Sequence, residues 1–297
     1  MNPLHLSSHF IDARLPCLAR KYRDLRDEAI FKKDMKTLQT YEYSGACYQF
    51  YGSSLGDQFA SREVSGELSA MRDLLADGID TFIDVGANHG LFSLLACNSS
   101  GCKRIISVEP CWRNYQMLLR NLSLQSSGRK LMAFHLAVGS THDFMPLSGG
   151  LEGASLVNGW GGITATYSEL TQVLTLDLLS KFSNDDSRIL VKIDAEGYEK
   201  EVLSGASNLI SSGRASFVVE LSLNENLQLA SKQNYLDTFD MMLSFGMQAY
   251  TFQGGACISI ELARYWATNP PAGNSDSSLQ EQVQPERTLN ILFRRPF

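Results

Sequence analysis

The sequence predicts an α/β fold: a mainly parallel sheet with helices on both faces, preceded by an N-terminal accessory segment. Three observations carry this. Short apolar runs rich in Val, Ile and Phe alternate with amphipathic stretches from about residue 79 onward. A glycine turn, Gly86-Ala87-Asn88-His89-Gly90, directly follows the first run. Acidic residues end several of the runs, at the sheet edge where open α/β folds bind ligands.

Taken in order, residues 18–43, "LARKYRDLRDEAIFKKDMKTLQTYEY", are dense in charge and good helix formers and predict an accessory helix. The aromatic stretch that follows either packs over a ligand mouth or fastens this segment to the core. A division into an accessory segment, 1–58, and a main domain, 59–297, is expected. Residues 60–78 predict one helix stopped by Gly78. Strands are then expected at "TFIDVGA", "RIISVEP", "LMAFHLAVG", "RILVKIDAEG", "ASFVVELS", "MQAYTFQ" and "TLNILFRRP", with helices between them. The glycine-containing stretch 148–170, with Trp160 and Tyr167, suits either an acceptor-side loop or a surface hairpin. The Pro/Ser/Gln-rich stretch 268–287 reads as a mobile loop, and its "TNPPAG" lacks the stacking ring of a base-binding motif.

Composition narrows the partners. The formal net charge of −6 argues against a surface that neutralises nucleic-acid phosphates. No apolar run approaches a membrane span, and the N-terminus lacks the pattern of a signal peptide, so no membrane partner and a cytoplasmic location are expected. The six cysteines form no CxxC pair and the histidines no HExxH, which points to reduced, mostly buried thiols and no structural metal site.

Charge at the glycine turn selects among nucleotides. A dinucleotide would set its pyrophosphate on the helix N-terminus, where Asp84 would repel it. S-adenosyl-L-methionine instead carries an ammonium and a cationic sulfur, which an acidic neighbour suits; Asp84 as a simple turn or helix cap is the competing reading. His89, at the helix start, is expected to contact solvent. Glu109 follows Gly86 by 23 positions, about the spacing at which a carboxylate grips a ribose diol. Asp194, Glu196 and Glu220 supply further strand-end acids. Lys192 shares its strand face with Asp194 and could hold such a carboxylate ionised, or be buried and paired without a catalytic part.

The stretches "FIDVGANHGLFSLLA", "SVEP", "HLAVG", "VLTLDLL" and above all "ILVKIDAEGYEKEVLSGASNLI" with "FVVELS" resemble the FkbM family of S-adenosylmethionine-dependent methyltransferases over about residues 60 to 260. The resemblance implies a class I methyltransferase, Rossmann-like sheet of seven strands, the last antiparallel. It implies that Asp84, Gly86, Ala87, Asn88 and Gly90 surround the methionine part, that Glu109 takes the ribose, and that Ala137 and Val138 lie near the adenine. Asp194 is the first choice for base or acceptor-orienting group and Glu196 the second. The expected reaction is O-methylation of a small-molecule hydroxyl, on a sugar or secondary metabolite, with a divalent metal as an open alternative. A nicotinamide-dependent oxidoreductase and a non-catalytic cofactor-binding module are the rival readings. Oligomeric state is not legible.

Overall fold

The computed structural model describes residues 28–125, 128–148, 154–157, 168–223, 228–253, 255–269 and 288–296. Residues 28–34 are helical, but the chain then departs from the expected accessory helix: β1 (Leu38–Tyr43) and β2 (Ala46–Tyr51) form an antiparallel hairpin. The cause is local, because "LQTYEY" and "ACYQFY" alternate inward and outward residues with a period of two and are rich in Tyr and Phe. The hairpin is fastened to the core by an aromatic stack: Tyr41, Tyr48 and Phe50 each place a ring within 5.3 Å of the Phe59 ring on α1 (Ser53–Val64). The single helix expected over 60–78 is two, α1 and α2 (Glu67–Ala76), because Gly66 takes the left-handed conformation between them.

The main sheet is built from β3 (Thr81–Val85), β4 (Arg104–Val108), β5 (Lys130–Phe134), β9 (Ile189–Ile193), β10 (Ala215–Ser222), β11 (Gln248–Thr251), β12 (Cys257–Ile258) and β13 (Thr288–Arg294). Their order is β12-β11-β13-β10-β9-β3-β4-β5. The block from β5 to β10 is parallel, and β13 inserts antiparallel between β10 and β11. The sheet therefore has eight strands where seven were expected, since the two-residue β12 adds to the β11 edge. Residues 130–138 also divide: β5 stays in the main sheet while β6 (Ala137–Val138) joins β7 (Asp143–Ser148) and β8 (Ser168–Leu174) in a separate three-stranded sheet.

Helices cover both faces. On one, α3 (Leu91–Cys97), α4 (Trp112–Ser123), α1 and α2 pack over Phe82, Ile105, Leu190 and Val218. On the other, α5 (Leu176–Ser180), α6 (Glu199–Ser204), α7 (Ser207–Ser211) and α8 (Gln228–Ser244) pack with α9 (Ile260–Thr268) over Ile83, Ile106, Val191, Phe217 and Val219. Burial on both faces explains why the parallel strands read as continuous apolar runs rather than alternating ones. Among the described residues, no helix is long and apolar enough to cross a membrane.

Candidate functional site

The carboxyl ends of β3, β4 and β9 open into a cleft. It lies where strand order reverses, with β4 on one side of β3 and β9 on the other, the position at which open α/β sheets bind ligands. Its wall brings together Gly86 and Asn88, Glu109 and Pro110, Leu136 to Val138, and Asp194 to Glu196. Ala154 and Leu156, from the stretch 148–170, also line it, and the Ser155 hydroxyl donates to the Glu196 carbonyl at 2.7 Å. Trp160, Tyr167 and residues 270–287 lie outside the described residues.

The start of the first loop is held by backbone hydrogen bonds. The N–H groups of Gly86 and Ala87 both donate to Val108 O, at 3.0 and 2.9 Å, and Asp194 N–H donates to Val85 O at 3.0 Å. Gly86 has φ 75°, and a Cβ built on it would stand 1.8 Å from Asp194 O. Only glycine lets the first loop and the β9 end approach so closely. Asn88, with φ 50°, makes the second left-handed turn, as its short polar side chain permits.

Glu109 is 4% exposed at the end of β4. Its Oε2 accepts from Asn88 N–H at 2.8 Å and its Oε1 from Cys111 N–H at 2.9 Å. A carboxylate has about four acceptor sites, so beyond these two N–H groups and the Asn114 side chain it keeps capacity for a further donor, while the backbone fixes its direction. Burial pushes the Glu109 carboxyl up to about 7, against the pull of those two N–H groups and the Asn114 side chain. Leu136, Ala137 and Val138 give the neighbouring wall an apolar surface.

Across the cleft, Asp194 follows β9 and Glu196, with φ 48°, turns the chain toward α6. Lys192, 1% exposed in its side chain, pairs with Glu220 Oε2 at 3.0 Å and stands 3.8 Å from Asp194 Oδ2. Burial opposes a charge on Lys192, but Glu220 and Asp194 outweigh it and hold the ammonium above its ordinary value. Burial would likewise raise Glu220, yet Lys192 and Arg62 bring it down to about 2. Asp194 goes the other way: burial and then the Glu220 charge lift it well above the usual carboxylate range.

Several expected site residues do not line the cleft. Asp84 is 2% exposed and sits with Phe82 and Leu190 on the face covered by α3, where it accepts from Ser93 Oγ at 2.5 Å. The strict alternation of β3 is the reason, because Ile83 and Val85 take the other face. Burial pushes Asp84 up to about 6, with the Ser93 hydroxyl and Lys192 opposing. Ala87 is buried in the same apolar cluster, and Gly90 serves as the N-terminal cap of α3. His89 is not at the solvent: it is 6% exposed, with Nδ1 3.2 Å from Ser54 Oγ, tying the first loop to α1. Glu220 also sits behind the cleft rather than in it.

Other residues enter that sequence reasoning missed. Glu199 is 3% exposed and receives Gly197 N–H and Asn234 Nδ2, both at 2.9 Å, which fixes the turn carrying Glu196. Its position two residues after a glycine at a helix start was the available signal. Tyr198 and Asn114 line the cleft, and Arg62 reaches Glu220 from α1 at 3.8 Å. Among the described residues, no group of three or more His, Cys, Asp or Glu side chains is arranged to hold a metal ion.

The methyltransferase FkbM domain matches residues 84–253. A similar curated protein, hexuronic acid methyltransferase AglP of Haloferax volcanii, is 27% identical over 207 residues, covering 68% of this chain and 82% of the relative. Similar solved structures include an O-methyltransferase from Bacillus cereus in complex with SAH, at 10% identity and TM-score 0.43, covering 96% of this chain and 94% of that one. Cofactor-bound Rv0187 from MTB is 11% identical with TM-score 0.40, covering 99% and 96%.

Proposed function

The chain belongs to the FkbM methyltransferase family, and on that premise we propose that it moves a methyl group from S-adenosylmethionine to a hydroxyl of a small molecule, a sugar or secondary metabolite. The carrying observation is Glu109, whose two oxygens are aimed by backbone N–H groups into the same cleft that Asp194 lines from the other side. The cleft fits the donor part by part. Glu109 offers a fixed carboxylate acceptor to a ribose hydroxyl, and Pro110, Leu136, Ala137 and Val138 offer an apolar wall to a purine. The buried Asn88 Oδ1, which has no hydrogen-bond partner among the described residues, and the acids Asp194 and Glu196 offer acceptors and negative charge to an ammonium and a sulfonium. Asp84 supports this end indirectly, through Ser93 and the strand it anchors. When bound, the donor supplies a methyl on a cationic sulfur that keeps the electron pair of the broken bond.

The protein's own part is positioning and proton removal. Holding an acceptor oxygen in line with the methyl supplies much of the rate. As that oxygen gains the methyl, its proton passes to the Asp194 carboxylate. Burial and Glu220 make this carboxylate more basic than a free one. The sugar as acceptor is supported by analogy with the hexuronic acid methyltransferase.

Transfer of a labelled methyl group to a panel of hydroxylated sugars and metabolites tests the proposal, with Asp194→Asn as the paired variant. Loss of turnover by roughly 10²- to 10⁴-fold at nearly unchanged donor affinity supports the base. Reduced donor affinity, with turnover recovering at saturating donor, would make Asp194 a binding residue instead. Abolition by a chelator and rescue by magnesium would bring in a metal.

A further inference from the structure

Five ionisable groups run in alternating sign from the N-terminal helices to Asp194. Glu67 of α2 pairs with Arg62 of α1. Arg62 Nη1 stands 3.8 Å from Glu220 Oε2 on β10, Lys192 Nζ reaches the same oxygen at 3.0 Å, and Lys192 Nζ lies 3.8 Å from Asp194 Oδ2. Both cations also lie over one ring, with the Arg62 guanidinium 5.2 Å and the Lys192 ammonium 5.6 Å from the Phe92 centroid. Lys192 is 1% exposed and none of the other four side chains exceeds 25%.

Such a chain is a poor stabiliser, because desolvating buried ions costs about as much as their attraction returns, and apolar residues of the same volume would hold the sheet as well. What it does provide is a graded charge at the cleft. Two carboxylates share one ammonium, and Glu220 is the nearer by 0.8 Å. Lys192 is therefore largely neutralised by Glu220 before it acts on Asp194. Arg62, shared between Glu67 and Glu220, decides how much of the Glu220 charge remains.

We infer that Glu220 and Arg62 are positioning residues that set the proton affinity of Asp194, both directly and through Lys192. This makes α1 a working part of the site although Arg62 lies outside the matched domain, which begins at Asp84. The inference rests on the reading of Asp194 as proton acceptor. The charged groups acting on Asp194 are Lys192 from its own strand, Glu220 from β10, Glu196 from the following loop and Arg62 from α1, with Asp84 and Glu67 one contact further away.

The signs of two substitutions are opposed. Glu220→Gln removes a negative neighbour and frees the Lys192 ammonium for Asp194, and both effects lower the Asp194 midpoint. Arg62→Met removes a cation and leaves Glu220 less neutralised, and both effects raise it. Protein labelled with ¹³C at the aspartate carboxyl carbons, with the Asp194 signal assigned by its loss in Asp194→Asn, allows direct titration by NMR without any acceptor. Shifts of about one pH unit in opposite directions are expected, the lower end of the range for a charge within ~4–6 Å. Arg62→Lys should return the midpoint most of the way to wild type. If Glu220→Gln does not fold, the Arg62 pair decides alone. Coincident midpoints, or midpoints moving the same way, overturn the chain of influence whatever turnover does; retained turnover in Asp194→Asn overturns the base reading whatever the midpoints do.

Discussion

An alanine at position 86 should damage fold and site together, through backbone rather than through any lost side chain. Its Cβ would lie 1.8 Å from Asp194 O, whereas real Cβ contacts essentially never fall below 3.0 Å, so the two backbones must part by at least 1.2 Å. The residue would also have to keep φ 75° or abandon the turn. A left-handed alanine costs about 1–2 kcal/mol, and the separation strains the terminal β3–β9 hydrogen bond from Asp194 N–H to Val85 O, worth roughly 1 kcal/mol more. The expected loss is about 2–3 kcal/mol, seen as a fall in melting temperature of roughly 5–10 °C. Because the displaced group carries Asp194 and the loop carries Asn88, affinity for S-adenosylhomocysteine should fall at least about tenfold in calorimetry. Gly90→Ala is the control: it shares a positive φ, 99°, but meets only the movable Leu118 Cδ1 at 2.9 Å. If Gly86→Ala melts and binds like wild type, or Gly90→Ala is the more damaged, the argument from close backbone approach fails.

Two further outcomes follow from the charges. Glu109 sits near 7 because of burial, and ribose hydroxyls need its ionised form, so S-adenosylhomocysteine affinity should rise as pH passes upward through 7. Between pH 8 and 6 the loss should be about tenfold and absent in Glu109→Gln, measured by calorimetry in matched buffers. Lys192→Met leaves two buried carboxylates without their shared ammonium and should cost about 3 kcal/mol by urea denaturation at pH 7, the low end for a broken buried pair because Arg62 still faces Glu220. Glu220 is held near 2, below its ordinary value, so its contribution is present above about 4.5 and lost as pH falls toward 2. The variant's deficit should therefore shrink at pH 3, and an equal deficit at both pH values would assign it to packing.

Features that rest on local spacing were legible in the sequence. The strand, glycine turn and helix at 81–97, the carboxylate at residue 109 and the acids after β9 all follow from chain order, because a parallel sheet brings consecutive strand ends to one edge. What a side chain faces was less legible. Asp84 and Asp194 share one pleat phase, yet Asp84 turns under α3 while Asp194 reaches the cleft, because Asp84 is paired inside β3 opposite Lys192 and Asp194 lies two positions further, past the end of β9. The first strand of the hairpin, 38–43, was hidden because it directly continues a charged, helix-forming stretch that is helical at 28–34. The Arg62 contact with Glu220 joins positions 158 apart, which no pattern of neighbouring residues encodes.

The central claim, that Glu109 and the first loop hold a methyl donor, is tested most directly by titrating S-adenosylhomocysteine into wild type and Glu109→Ala. The account predicts saturable binding by the wild type and a loss of about 1.5–3 kcal/mol in the variant, roughly ten- to hundredfold in affinity, for removing hydrogen bonds to a charged group. No binding to the wild type, or the same affinity in the variant, would contradict it.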